Sequence, residues 1–139
     1  MTNAKATILV VDDEEVVRRS HIRVLTGIRC QVEAVCDGEQ ALKAMEAEPY
    51  DLVLLDLRMP GMDGLSTLKA MKARWPESEV IMITGYPSVD TAKEAIRLGA
   101  CDYLSKPLTP GEVIEAANSA MEQKHWTLRP EGGTLSAHG

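Results

Sequence analysis

Polar side chains of a narrow kind follow short aliphatic runs in this chain: Asp12 and Asp13 after residues 8–11, Asp56 after 52–55, Thr84 after 80–83, and Lys106, by way of Ser105, after 101–104. Carboxylates gathered in one place repel one another, and a hard divalent cation is the usual remedy. Mg2+ takes oxygen ligands, typically one or two carboxylates completed by water and a phosphate oxygen. A metal site alone has no need of Lys106. An ammonium facing the metal implies something more negative between them, and a phosphoryl group fits, because both cations neutralise its oxygens during transfer. The acceptor is then a carboxylate nucleophile that becomes an aspartyl-phosphate. Asp56 is the best candidate, since it closes the most apolar run, which belongs at the centre of a sheet. Thr84 would then donate its hydroxyl to a phosphoryl oxygen.

Taken singly, each residue has a plainer reading. An Asp after a strand often caps a helix, Thr-Gly is a common turn, and most lysines are simply solvated. The joint occurrence at successive run ends is what favours chemistry. His21 lies at helical spacing from Val17, Val24 and Leu25 and reads as a packing residue; His125 and His138 have no visible partner. Met45, Met71, Met82 and Met121 read as aliphatic filling in a chain without Phe. Cys30, Cys36 and Cys101 show no metal-knuckle spacing, and the first two would stand roughly 20 Å apart along a strand, too far to bridge. All three read as small core fillers in a reducing compartment.

These side chains converge only if the runs are parallel strands. The runs at 8–11, 52–55 and 80–83, with weaker ones at 32–35 and 101–104, are short and near-continuously apolar, as in a sheet covered on both faces. Helix starts stand between them at Asp37-Gly38-Glu39-Gln40 and Asp63-Gly64. Another is Thr109-Pro110-Gly111-Glu112, which leads into Val113, Ala116, Ala117, Ala120 and Met121 at helical spacing. Gly27 and Gly99 read as C-terminal helix glycines. The alternation predicts an α/β fold, a doubly wound five-stranded parallel sheet flanked by five helices, whose ligands sit beyond the carboxyl ends of the strands.

At 139 residues the chain has the size of one domain, and its net charge of −6 argues against a phosphate-backbone footprint. A content of 4% aromatic residues argues against stacking platforms for bases as well. Its polar start and the lack of a spanning apolar run predict a cytoplasmic protein without membrane contact. Residues 6–124 carry the domain pattern. Residues 125–139, with Pro130, Gly132, Gly133, Ser136 and Gly139, read as a flexible tail or the start of a linker.

The chain resembles the receiver domain of two-component response regulators. The resemblance rests on Val10-Val11-Asp12-Asp13-Glu14, on Asp51-Leu52-Val53-Leu54-Leu55-Asp56-Leu57-Arg58-Met59-Pro60-Gly61-Met62-Asp63-Gly64, on Ile83-Thr84-Gly85 and on Lys106-Pro107. It implies the flavodoxin-like strand order 2-1-3-4-5. It implies that Asp56 accepts a phosphoryl group from a phosphohistidine, and that Asp13, Asp56 and the backbone carbonyl of Arg58 bind Mg2+, with Asp12 assisting through water. Lys106, ahead of a cis peptide to Pro107, would pair with the phosphoryl group, and Thr84 and Tyr103 would form a switch pair that remodels the face of the fourth helix, fifth strand and fifth helix. The implied partners are a sensor histidine kinase or phosphotransfer protein, an output protein and a phosphorylation-dependent homodimer, with no nucleic acid contacted by this domain. The chain would not be an enzyme, though it would promote its own phosphorylation and dephosphorylation. Arg58 and Tyr86, two residues beyond Asp56 and Thr84, are large and would shield the phosphoryl group from hydrolytic water.

Residues 84–92 and 96–100 further resemble receivers of nitrogen-regulation activators, so the chain reads as a stand-alone receiver or as part of a longer regulator. A haloacid-dehalogenase-type phosphatase would want an acid where Arg58 stands. Asp12-Asp13-Glu14-Glu15 would repel the phosphate of a flavin carrier, and neither a P-loop nor a dinucleotide glycine string is present. A docking module of the same fold that works without phosphorylation is the alternative.

Overall fold

The structure is a computed structural model and describes residues 5–58 and 61–123; the tail assigned to 125–139 lies outside them. Strands β1 (Thr7–Val11), β2 (Gln31–Val35), β3 (Leu52–Asp56), β4 (Glu79–Thr84) and β5 (Asp102–Ser105) alternate with helices α1 (Glu15–Thr26), α2 (Gly38–Ala47), α3 (Gly64–Arg74), α4 (Val89–Arg97) and α5 (Pro110–Glu122). The strands form one parallel sheet in the order β2-β1-β3-β4-β5. The most apolar run is therefore central, as its composition requires, and every residue of β3 is buried.

Alternation along the strands divides the core. Ile8, Val10, Leu52, Leu54, Ile81 and Ile83 face Leu25 of α1 and the apolar stripe of α5. Leu9, Val11, Val53, Leu55, Val80 and Met82 face Ala41 and Met45 of α2, Leu68 and Met71 of α3, and Ala95 of α4. Each fully buried aliphatic side chain contributes about 1.5–3 kcal/mol, so the paired layers hold the sheet between them. Met121 completes the first layer, which confirms the methionines as filling.

Polar residues start the helices. Asp37 accepts from the Gln40 amide at 2.8 Å and Asp63 from Ser66 at 2.8 Å, while Thr109 and Glu112 form a reciprocal capping box. Gly99, at φ +111°, ends α4 with the Ala100 amide donating to Ala95 and its own amide to Ile96. At the end of α1, Gly27 is the C-cap residue, as expected. Gly27 is right-handed at φ −65°, and Arg29 takes the left-handed conformation at φ +67°. The Cys30 amide closes on Leu25 and the Arg29 amide on Thr26, so burial of Leu25 sets where the turn falls. Cys30 and Cys101 pack with the core as expected, but Cys36 does not: its sulfur lies 3.3 Å from Gln40 Oε1 at the entry to α2. Among the described residues no helix is long and apolar enough to cross a membrane.

Candidate functional site

Strand register carries the polar residues to one edge. Val11 stands opposite Leu55, so the next residues, Asp12 and Asp56, fall side by side; Asp56 pairs with Ile83, placing Thr84 one step further, and Thr84 pairs with Ser105, ahead of Lys106. Asp12, Asp13 and Asp56 each offer a carboxylate oxygen within 4.8 Å of the others. Asp12 and Asp56 are buried and Asp13 is exposed, so the cluster opens to solvent on one side. Lys106 reaches in from the far end of the sheet, its Nζ 2.8 Å from Asp12 Oδ2, 3.3 Å from Glu14 Oε1 and 3.4 Å from Asp56 Oδ2. The Lys106-Pro107 peptide is cis.

The electrostatics are those of a charge held against burial. Desolvation, then the neighbouring Asp12 carboxylate, push the Asp56 pKa up to about 6, while Lys106 and the Arg58 amide, which donates to Oδ1 at 3.2 Å, pull it back. Burial works against the Lys106 ammonium too, but its hydrogen bond to Asp12 and the charges of Asp12 and Asp56 outweigh this and raise its pKa above the ordinary lysine value. An oxygen-only donor set of this density suits a hard cation such as Mg2+. None of these acidic side chains makes a capping bond: Asp12 accepts from the Glu14 amide at 2.9 Å, and Glu14, the N-cap residue of α1, turns its carboxylate to Lys106 instead. Glu14 was visible in the sequence only as part of an acidic run, with nothing to single it out.

Thr84 and Tyr103 bond to the loop and helix that follow β4. Thr84 is fully buried and its Oγ1 accepts from the Tyr86 amide at 3.0 Å. Tyr103 is half-buried, and its hydroxyl meets Ser88 and Thr91 at the start of α4, partners that the sequence did not suggest. Above the site the Arg58 guanidinium lies 4.5 Å from the centre of the Tyr86 ring, joining the loops that follow β3 and β4. His21 is buried as a packing residue, with its Nδ1 lacking a hydrogen bond among the described residues and its pKa lowered chiefly by desolvation.

Known proteins carry the same pattern. Residues 8–118 match the family model of the response regulator receiver domain. The transcriptional regulatory protein ZraR of Escherichia coli K12 is 40% identical over 129 residues, 90% of this chain and 28% of its own length. The DNA-binding transcriptional regulator NtrC of Klebsiella pneumoniae is 34% identical over 128 residues, 92% of this chain and 27% of its own. The chain thus spans little more than a quarter of these curated relatives. Among solved structures, a CheY-like receiver domain protein from Methanospirillum hungatei JF-1 superposes with TM-score 0.85 at 27% identity, covering 88% of this chain and 98% of that one. The receiver domain of NtrX from Brucella abortus does so with TM-score 0.78 at 37% identity, covering 83% and 98%. By sheet order, by family match and by its likeness to receivers of the NtrC type, this chain belongs to the response regulator receiver domains of two-component systems.

Proposed function

We propose that the domain accepts a phosphoryl group on Asp56 from a phosphohistidine of a sensor kinase or phosphotransfer protein and passes the change to an output partner. The carrying observation is the Lys106 ammonium set between Asp12 and Asp56 beside a three-carboxylate cluster. An Asp56 oxygen attacks phosphorus in line, the bond from phosphorus to the imidazole nitrogen breaks with its electron pair staying on the ring, and the ring leaves as neutral imidazole because its other nitrogen already carries a proton. Asp13, Asp56 and the Arg58 carbonyl would hold Mg2+, with Asp12 assisting through water; when bound, the ion neutralises charge on the phosphoryl oxygens. Lys106 moves its charge from Asp56 to the transferred group, and Thr84, freed from Tyr86, donates to one of its oxygens. The chain acts as a phosphoacceptor that assists its own modification rather than as an enzyme. The relatives named as transcriptional regulators support an output in transcription; a cytoplasmic location and phosphorylation-dependent homodimerisation belong to the same proposal.

Incubation with Mg2+ and a small phosphodonor is expected to add a single phosphoryl mass, seen by intact-mass measurement, and Asp56→Asn to abolish it. Unmodified wild type would instead favour docking without phosphorylation. The lifetime of the product has its own test. Tyr86 is 71% exposed, so its stacking with Arg58 has the modest strength of a surface cation–π pair, about 0.5–1 kcal/mol. If the pair screens the phosphoryl group, Arg58→Asn and Tyr86→Ala each release phosphate roughly two- to five-fold faster, the factor that energy corresponds to. Unchanged release rates would remove the screening role.

A further inference from the structure

Helix α4 is the least anchored of the helices on its side of the sheet. Its one buried residue is Ala95, whereas Val89 and Ile96 are 68% and 52% exposed. Little apolar contact therefore fixes its first turn. In its place stand three hydroxyls in a row: Ser88 Oγ lies 2.8 Å from Thr91 Oγ1, and Thr91 Oγ1 lies 2.6 Å from Tyr103 Oη. Two amides close the group, Thr91 donating to Ser88 Oγ at 3.1 Å and Ser88 to Tyr103 Oη at 3.3 Å. Ser88 is the N-cap of α4 and Tyr103 belongs to β5, so the group fastens the start of a helix to a strand. Thr91 is the link, since it alone bonds to both other hydroxyls.

The same short loop is tied to the site. Thr84 accepts from the Tyr86 amide, and for its hydroxyl to turn toward a group on Asp56 it must carry Tyr86 along or release it. Carrying Tyr86 along shifts residues 85–88 relative to Tyr103, and the row of hydroxyls resists that movement. We propose that Thr91 is a positioning residue: its hydroxyl holds Tyr103 and the first turn of α4 in the unphosphorylated arrangement and so sets how readily the domain adopts the other. This rests on the phosphoacceptor reading above. Thr91→Val keeps the branched shape and the capping amide and removes only the hydroxyl.

By linkage, a bond present in one arrangement alone lowers the affinity of any ligand that requires the other. The probe is beryllium fluoride with Mg2+, a phosphoryl mimic for Asp56, titrated by NMR. Thr91→Val is expected to bind it about three- to ten-fold more tightly, the factor for one net hydrogen bond. Tyr103→Phe is expected to give a similar gain, and the double variant to add less than about two-fold to either single one, because both changes remove the same link. Unchanged or weaker binding by Thr91→Val, or gains that multiply in the double variant, would overturn the proposal. Wild type that takes up no beryllium fluoride would overturn the phosphoacceptor reading itself, and the proposal with it.

Discussion

Asp56→Asn is expected to raise the unfolding free energy of the metal-free protein by about 2–3 kcal/mol at pH 7 and by well under about 1 kcal/mol at pH 4. Burial and the adjacent Asp12 lift the Asp56 pKa from 3.8 to about 6, so the folded protein binds this proton more tightly than the unfolded chain. Native stability from this group is greatest in acid, falls as pH rises from about 4 through 6, and levels off above, where the carboxylate is ionised in both states. Asn keeps the shape and an acceptor for the Arg58 amide but carries no charge. Lys106 is not stranded, because Asp12 and Glu14 remain at 2.8 and 3.3 Å. Urea unfolding of both proteins at both pH values measures the difference. An equal gain at both would assign it to packing, and no gain at pH 7 would refute the electrostatic account. Saturating Mg2+ is expected to narrow the gap, since an ion that binds only the folded state stabilises the protein that retains all its ligands more. Part of the fold's stability is thus held back at the site whose charge is proposed to receive the phosphoryl group.

The portion of the site fixed by strand periodicity was legible from residues alone. Asp56 and Thr84 end β3 and β4, Asp12 and Asp13 follow β1, and Lys106 follows β5, because apolar runs that must be covered on both faces leave little choice about where they stop. What escaped depends on the approach of separate loops. Nothing in the spacing of Arg58 and Tyr86 sets a ring 4.5 Å from a guanidinium, and nothing near Tyr103 in sequence marks Thr91 as its partner. One local reading failed for a different reason. Cys36 was placed in the core by residue type, although it lies one residue past β2, an edge strand whose pattern is half-open.

Gly64→Ala is expected to destabilise the protein by about 3 kcal/mol, at the upper end for forcing one extra carbon into a packed site, and to slow phosphorylation of the folded fraction more than about tenfold, as displacement of a reacting group by about 1 Å does. Gly64 opens α3 against the end of β3, and a Cβ there would lie 2.5 Å from the Asp56 carbonyl oxygen, 2.7 Å from Leu57 Cα and 2.9 Å from the Leu57 oxygen. All are backbone atoms, and the pairing of Asp56 with Ile83 and the 2.9 Å bond from the Leu57 amide to the Ile83 carbonyl resist their displacement. The first turn of α3 must move, at the expense of the 2.9 Å bond from the Gly64 amide to the Leu57 carbonyl, or Asp56 must tilt. Gly61→Ala in the same loop separates space from conformation: its φ is +79° with nothing within 4 Å of an added Cβ, so it is expected to cost about 1 kcal/mol in backbone strain and leave the phosphorylation rate within about two-fold. Urea unfolding and intact-mass time courses on both variants check this. Equal rate losses would mean that loop conformation positions Asp56; a loss confined to Gly64→Ala would mean that the close approach of α3 to β3 does.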